Sequence, residues 1–140
     1  MKKTTNLVWG GRFEYDSSDI LKRINNSISF DYNLAHQDIK LNKQYAKSLF
    51  KAKILSANEL KNINVALDDI HLEVKKKKFK FSDDYEDIHM NIEMALRKKI
   101  GRLAGKLHTG KSRNDQVVTD VKLWTKEKIK NVIDKIKKIQ

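Results

Sequence analysis

No proline occurs anywhere in the 140 residues, and only five are glycine. Proline ends or kinks helices and supplies many of the turns of β folds, so its absence permits long uninterrupted helices and leaves a turn-rich β fold without its usual punctuation. Hydrophobic residues make up 39% and charged residues 34%, a balance that suits a helix-rich protein with one core and leaves little material for two packed sheets. With no cysteine, neither a disulfide framework nor a thiolate metal site is available, and a reducing cytoplasm is the expected setting. The opening "MKKTTNLVWG" has no apolar run behind its two lysines, and nowhere do 18 apolar residues run together, so no leader and no membrane partner are expected.

Hydrophobic periodicity divides the chain into four helical stretches. In "DYNLAHQDIKLNKQYAKSLF", Asp31 is the expected N-cap, and Ala35, Ile39, Ala46 and Leu49 fall on one face. "SANELKNINVALDDIHLEV" carries a capping box in Ser56 and Glu59, followed by Leu60, Ile63, Leu67, Ile70 and Val74 at alternating spacings of three and four. A third helix is predicted to begin around Ser82 to Asp84 and to run through Ile88, Ile92, Leu96, Ile100 and Leu103, with Gly101 and Gly105 weakening or ending it. The fourth, capped by Asn114 or Asp115, keeps Val118, Val121, Ile129, Val132, Ile136 and Ile139 in register up to Gln140. At about 1.5 Å per residue it would be roughly 40 Å long. Its apolar seam has no equally long neighbour in these residues, so other copies or further chain must cover it.

Between the third and fourth helices lies "LHTGKSRNDQVVTD" (Leu107 to Asp120). A loop feeding a helix N-terminus presents free backbone N–H groups and the positive end of the helix dipole, which together favour an anion. Lys106, Lys111 and Arg113 add charge; Thr109, Ser112 and Asn114 add short donors; Gly110 lets backbone approach a ligand. That chemistry fits a carboxylate-bearing metabolite better than a metal, which would want clustered acids or histidines. The alternative is that Ser112 and Asn114 only cap the helix. In "EDIHMNIE", His89 and Glu93 are four apart, as are Asp87 and Asn91; with no obvious third ligand they read as a polar surface face, and no metal is expected.

The formal net charge is +12, yet only five of the 30 basic residues are arginine (Arg12, Arg23, Arg97, Arg102, Arg113). Apart from the run Lys75 to Lys78, the lysines spread along helical faces without interleaved aromatics, which reads as a solvated surface rather than a nucleic-acid groove.

"WGGRF" (Trp9 to Phe13), "NNSISFD" (Asn25 to Asp31), "DIHMNIE" (Asp87 to Glu93) and "AGKLHTGKSRNDQVVTD" (Ala104 to Asp120) occur in an order and spacing that resemble the argininosuccinate lyase family across essentially the whole chain. The resemblance implies an all-α fold in which residues 1–112 form an N-terminal helical domain and residues 113–140 start the first long helix of a central helix bundle. It also implies a cofactor-free lyase of arginine biosynthesis that splits argininosuccinate reversibly into arginine and fumarate. Such an enzyme works as a homotetramer, with each active site built from three subunits. Substrate contacts would then fall to Ser27, Asp87, His89, Ser112, Arg113 and Asn114. Two departures stand out. Lys111 replaces the family's usual arginine, keeping the charge but losing a bidentate fork. The family's catalytic serine loop, GSSxMPxKxN, and its histidine-bearing partner segment have no match here, so no catalytic residue is expected within this chain and the chain alone should be inactive. The reading frame is accordingly expected to continue for about three hundred residues. A non-catalytic structural relative and, behind it, a basic nucleic-acid-binding protein are the competing readings.

Overall fold

A computed structural model of the chain describes residue 20 and residues 24–140; the "WGGRF" motif lies outside them. The regular structure described is helical throughout, with no strand among the described residues. A single turn, Ile28–Asp31, runs through a 3-10 turn (Tyr32–Leu34) into α1 (Ala35–Lys51). There follow α2 (Ala57–Lys75), α3 (Ile88–Ile100), a 3-10 segment (Gly101–His108) and α4 (Arg113–Ile139). The expected all-α class is what the chain adopts.

The apolar stripes read from the sequence become one core. Ile39, Ala46 and Leu49 of α1 meet Ile63, Leu67 and Ile70 of α2 and Ile88, Ile92 and Leu96 of α3, all buried. A period of three and four puts such residues on one side of a helix, and three helices bury three such sides against each other. The capping box forms as the spacing predicts: Glu59 N–H donates to the Ser56 hydroxyl at 3.3 Å and Ser56 N–H to the Glu59 carboxylate at 2.9 Å. At their C-termini α1 and α2 share one device. Lys53 (φ 60°) and Lys77 (φ 56°) take the left-handed conformation, and the next N–H bonds back to Leu49 at 2.9 Å and Glu73 at 2.8 Å respectively. Glycine usually fills this position.

Three helix starts differ from expectation. Asp31 does not cap α1; it is buried and accepts the backbone N–H of Ile88 at 3.2 Å and the Ser27 hydroxyl at 2.6 Å. The third helix begins at Ile88 rather than near Ser82, capped by Asp87, whose carboxylate accepts Met90 N–H at 2.6 Å. Ser82 instead sits in a turn pinned by the Asn91 side-chain amide, at 2.8 and 3.2 Å, which offers the backbone a better partner than another helical turn would. The cap of α4 is Ser112, with Asp115 as its reciprocal partner, instead of Asn114 or Asp115. Gly101 ends α3 at φ 61°, as expected.

The start of α4 packs on α1, and Gln116 and Asp120 are the residues it buries. Its apolar seam stays open, with Val118 and Ile136 each 50% exposed. None of the described helices is long and apolar enough to cross a membrane.

Candidate functional site

Where the Ile28–Asp31 turn, the N-terminus of α3 and the first turns of α4 meet, a cleft of about 410 Å³ opens, lined by Ser27, Phe30, Asp31, Asp87, His89, Val117 and Trp124 among others. Asp31 is the tie that builds it, since its carboxylate joins Ser27 on one wall to the backbone of Ile88 on the other. Asp87 has two tasks: it caps α3 and faces Arg113, whose Nε lies 3.5 Å from its Oδ2. Arg113 also donates to Gln116 at 3.0 Å.

Of the six residues singled out in the sequence, Ser27, Asp87 and His89 share this cleft, and Arg113 stands beside it. Ser112 and Asn114 are exposed at the start of α4 and do not line it. The Ser112 hydroxyl is engaged in capping, accepting Asn114 N–H at 3.2 Å, whereas the Asn114 side chain makes no hydrogen bond to the described residues. On the other side of the start of α4, a second cavity of about 430 Å³ is lined by Lys40, Tyr45, Gly110, Lys111, Asp115 and Thr119 among others.

His89 does not form a surface pair with Glu93. It is 2% exposed, and Glu93 turns instead to His108 at 3.4 Å and Arg113 at 3.9 Å. The Nδ1 of His89 bonds Asp38 Oδ1 at 2.8 Å and lies 3.4 Å from Asp120 Oδ2. Asp38 also accepts from the side-chain amides of Gln116 and, at 2.9 Å, Asn42. Lys111 completes the chain, donating to Asn42 at 2.7 Å with its ammonium 5.4 Å from the centre of the Tyr45 ring. Asp38, Asn42, Lys111, Gln116 and Asp120 thus form a network the sequence reading did not assemble. One signal was present: Asp38 and Asn42 interrupt the apolar face of Ala35, Ile39 and Ala46 at helical spacing.

The charges in this network are set by burial and by each other. Burial works to raise the Asp38 carboxyl, but its interaction with His89, the hydrogen bond foremost, aided by Gln116 and Lys111, outweighs it and holds Asp38 below its usual value. Asp120 goes the other way: burial first, then the neighbouring Asp38 charge, push it up to about 9, against a weaker pull from Lys111. Desolvation lowers Lys111, partly offset by Asp38 and Glu93. Two carboxyls this close in a dry interior cannot both ionise cheaply, so one keeps its proton. Protonation also accounts for Asp120, both of whose oxygens are buried without a hydrogen bond among the described residues, by making it a donor towards Asp38. The three side chains His89, Asp38 and Asp120 are close enough to ligate a cation. Against that, Asp38 already accepts three N–H donors and Lys111 already brings positive charge, a donor set suited to holding a proton.

Residues 11–140 match a protein-family model described as Lyase. The chain belongs to this lyase family. It is 48% identical over 136 residues to the argininosuccinate lyase of Ehrlichia ruminantium, covering 97% of this chain and 29% of that protein. The argininosuccinate lyase of Ehrlichia chaffeensis is 51% identical over 124 residues, covering 89% of this chain and 26% of its own length. That of Limosilactobacillus reuteri is 44% identical over 133 residues, covering 95% and 29%. The lyase chain therefore spans about 29% of the length of such curated relatives and corresponds to an N-terminal portion of them.

Proposed function

We propose that this chain is the N-terminal part of an argininosuccinate lyase, a carbon–nitrogen lyase that cleaves argininosuccinate reversibly to arginine and fumarate in the cytoplasm without a cofactor. The observation that carries the reading is the convergence of Ser27, Asp87 and His89 on one cleft, with Arg113 at its edge, in a chain 44–51% identical to proteins of that name. Elimination from a succinyl group needs a base to take a carbon-bound proton while the C–N bond breaks, and donors to hold the charge that builds on the adjacent carboxylate. The residues here supply the second half. Ser27 offers a hydroxyl and Arg113 a planar fork that can exchange Asp87 for a substrate carboxylate. Ser112 and Asn114 bring further donors at the positive end of α4. In this reading all six residues bind substrate and none removes the proton, so residues 1–112 act as a substrate-binding helical domain and residues 113–140 begin a bundle helix. The open seam of α4, with Ile129 and Val132 each 55% exposed, supports burial against other helices in a homotetramer.

The test is fumarate release from argininosuccinate, followed by ultraviolet absorbance. The complete protein containing these residues should turn over; the 140-residue chain should release nothing above background. In the complete protein, loss of one oriented donor commonly costs about 2.7 to 4 kcal/mol of transition-state stabilisation, so Asn114→Ala or Ser112→Ala should slow turnover roughly a hundredfold or more. Near-normal kinetics for both variants would reduce the loop to a helix cap, and turnover by the short chain would overturn the placement of catalysis outside it.

A further inference from the structure

We propose that Asp38 and Asp120 are a proton-sharing carboxyl pair that positions His89, fixing its Nδ1 as the protonated nitrogen and leaving Nε2 as the ring's acceptor on the cleft side. The inference rests on the reading of the cleft as a substrate site for its consequences in turnover, though not for its structural content. Three observations carry it. His89 lines the cleft yet is only 2% exposed, and among the described residues its hydrogen bond runs from Nδ1 to Asp38 at 2.8 Å. Asp38 is itself held by Asn42 and Gln116, so its orientation is set by α1 and α4 together. Asp120 lies 3.4 Å from the same Nδ1, with both oxygens buried and without a hydrogen-bond partner among the described residues.

The proton on Asp120 is what makes the arrangement unique. Ionised, Asp120 would be a second acceptor for the same N–H and would pull the ring between two positions. Protonated, it cannot accept the histidine proton on that oxygen and instead adds a donor towards Asp38. The charged or titratable groups around the ring are then Asp38 on α1, Lys111 ahead of α4, Glu93 on α3 with His108 beside it, and, in the cleft, Asp31 and Asp87. A carboxylate behind an imidazole commonly sets which nitrogen carries the proton, and losing it costs turnover without touching substrate. Asp38 and Asp120 are therefore positioning residues.

Solid-state 15N NMR of the complete, histidine-labelled protein reads this directly, with the His89 signals assigned by difference from His89→Gln. Nδ1 should be protonated and Nε2 bare in the wild type and in Asp120→Asn, since the amide is a neutral donor of the same shape. Asp38→Asn should lose that preference. In turnover, Asp38→Asn should lower kcat about a hundredfold with KM changed less than about threefold. A wild-type His89 protonated on Nε2 overturns the proposal, as does an Asp120→Asn variant whose spectrum loses the Nδ1 preference. If Asp38→Asn does not fold, the wild-type and Asp120→Asn spectra still decide. A complete protein inactive on argininosuccinate would refute the substrate reading and leave the NMR result to judge the positioning.

Discussion

Replacing Asp120 by asparagine should make the protein more stable at neutral and alkaline pH, against the usual expectation for removing a buried acid. The Asp120 side chain is 0% exposed, and its carboxyl titrates near 9 in the folded protein against 3.8 for an ordinary aspartate. Because the folded value is raised, the group's contribution is fully present below pH 3.8 and is lost progressively as pH rises towards 9. Across that window the unfolded chain has released a proton that the folded one keeps, which costs about 1.4 kcal/mol per pH unit. Asparagine has no proton to release. The stability difference, variant minus wild type, should therefore grow by about 3 kcal/mol between pH 5 and pH 7. Urea denaturation at several pH values measures it, and with slopes of about 1–3 kcal/mol per molar the midpoint gap should widen by roughly 1–3 M. Taking the difference cancels the other titrating groups, His71 among them, whose value is lowered by burial and by His36. A difference that stays flat from pH 5 to pH 9 would mean that Asp120 is ionised in the folded protein, and the one-proton account of the His89 network would fall with it.

Two further outcomes concern the helix ends. Lys77→Gly should stabilise the protein by roughly 0.5–1 kcal/mol, since the left-handed φ of 56° is held by a side chain that pays for it in steric strain; a destabilised variant in the same urea assay would show that the lysine makes a compensating contact. Gly101→Ala should cost about 1–2 kcal/mol from its φ of 61° alone, because no atom lies within 4 Å of the added methyl group. A loss several times larger would point to a packing contact instead.

Much of the helical frame was legible before any coordinates. Ser56 and Glu59 announce the start of α2 because both halves of a capping box are local, and Ile63, Leu67 and Ile70 mark its buried face because helical geometry alone puts them there. The same locality explains Gly101 at the end of α3. The starts of α1 and α3 depart from the local pattern where a side chain serves a distant backbone. Asp31 resembles a cap for its own helix, yet its partner is Ile88, 57 residues on. Asn91 holds Ser82 out of the helix that the local pattern would extend.

The site divides along the same line. "DIHMNIE" and "SRND" mark residues with the right chemistry, and the family membership agrees with the resemblance those motifs carry. What they cannot express is that His89 turns inward onto Asp38 of α1 and Asp120 of α4. A sequence period says which residues share a face of one helix; it does not say which faces meet. Asp38 and Asp120 are 82 positions apart, and only the packing of α1, α3 and α4 brings them to one imidazole. Even the charge on Asp120 belongs to the tertiary structure, because it depends on a dry interior and a second carboxylate that the isolated helix would not have. The exposed seam of α4 is the complement: its period was read from the residues alone, and the fold turned Gln116 and Asp120 inward, leaving Val118 and Val121 facing out.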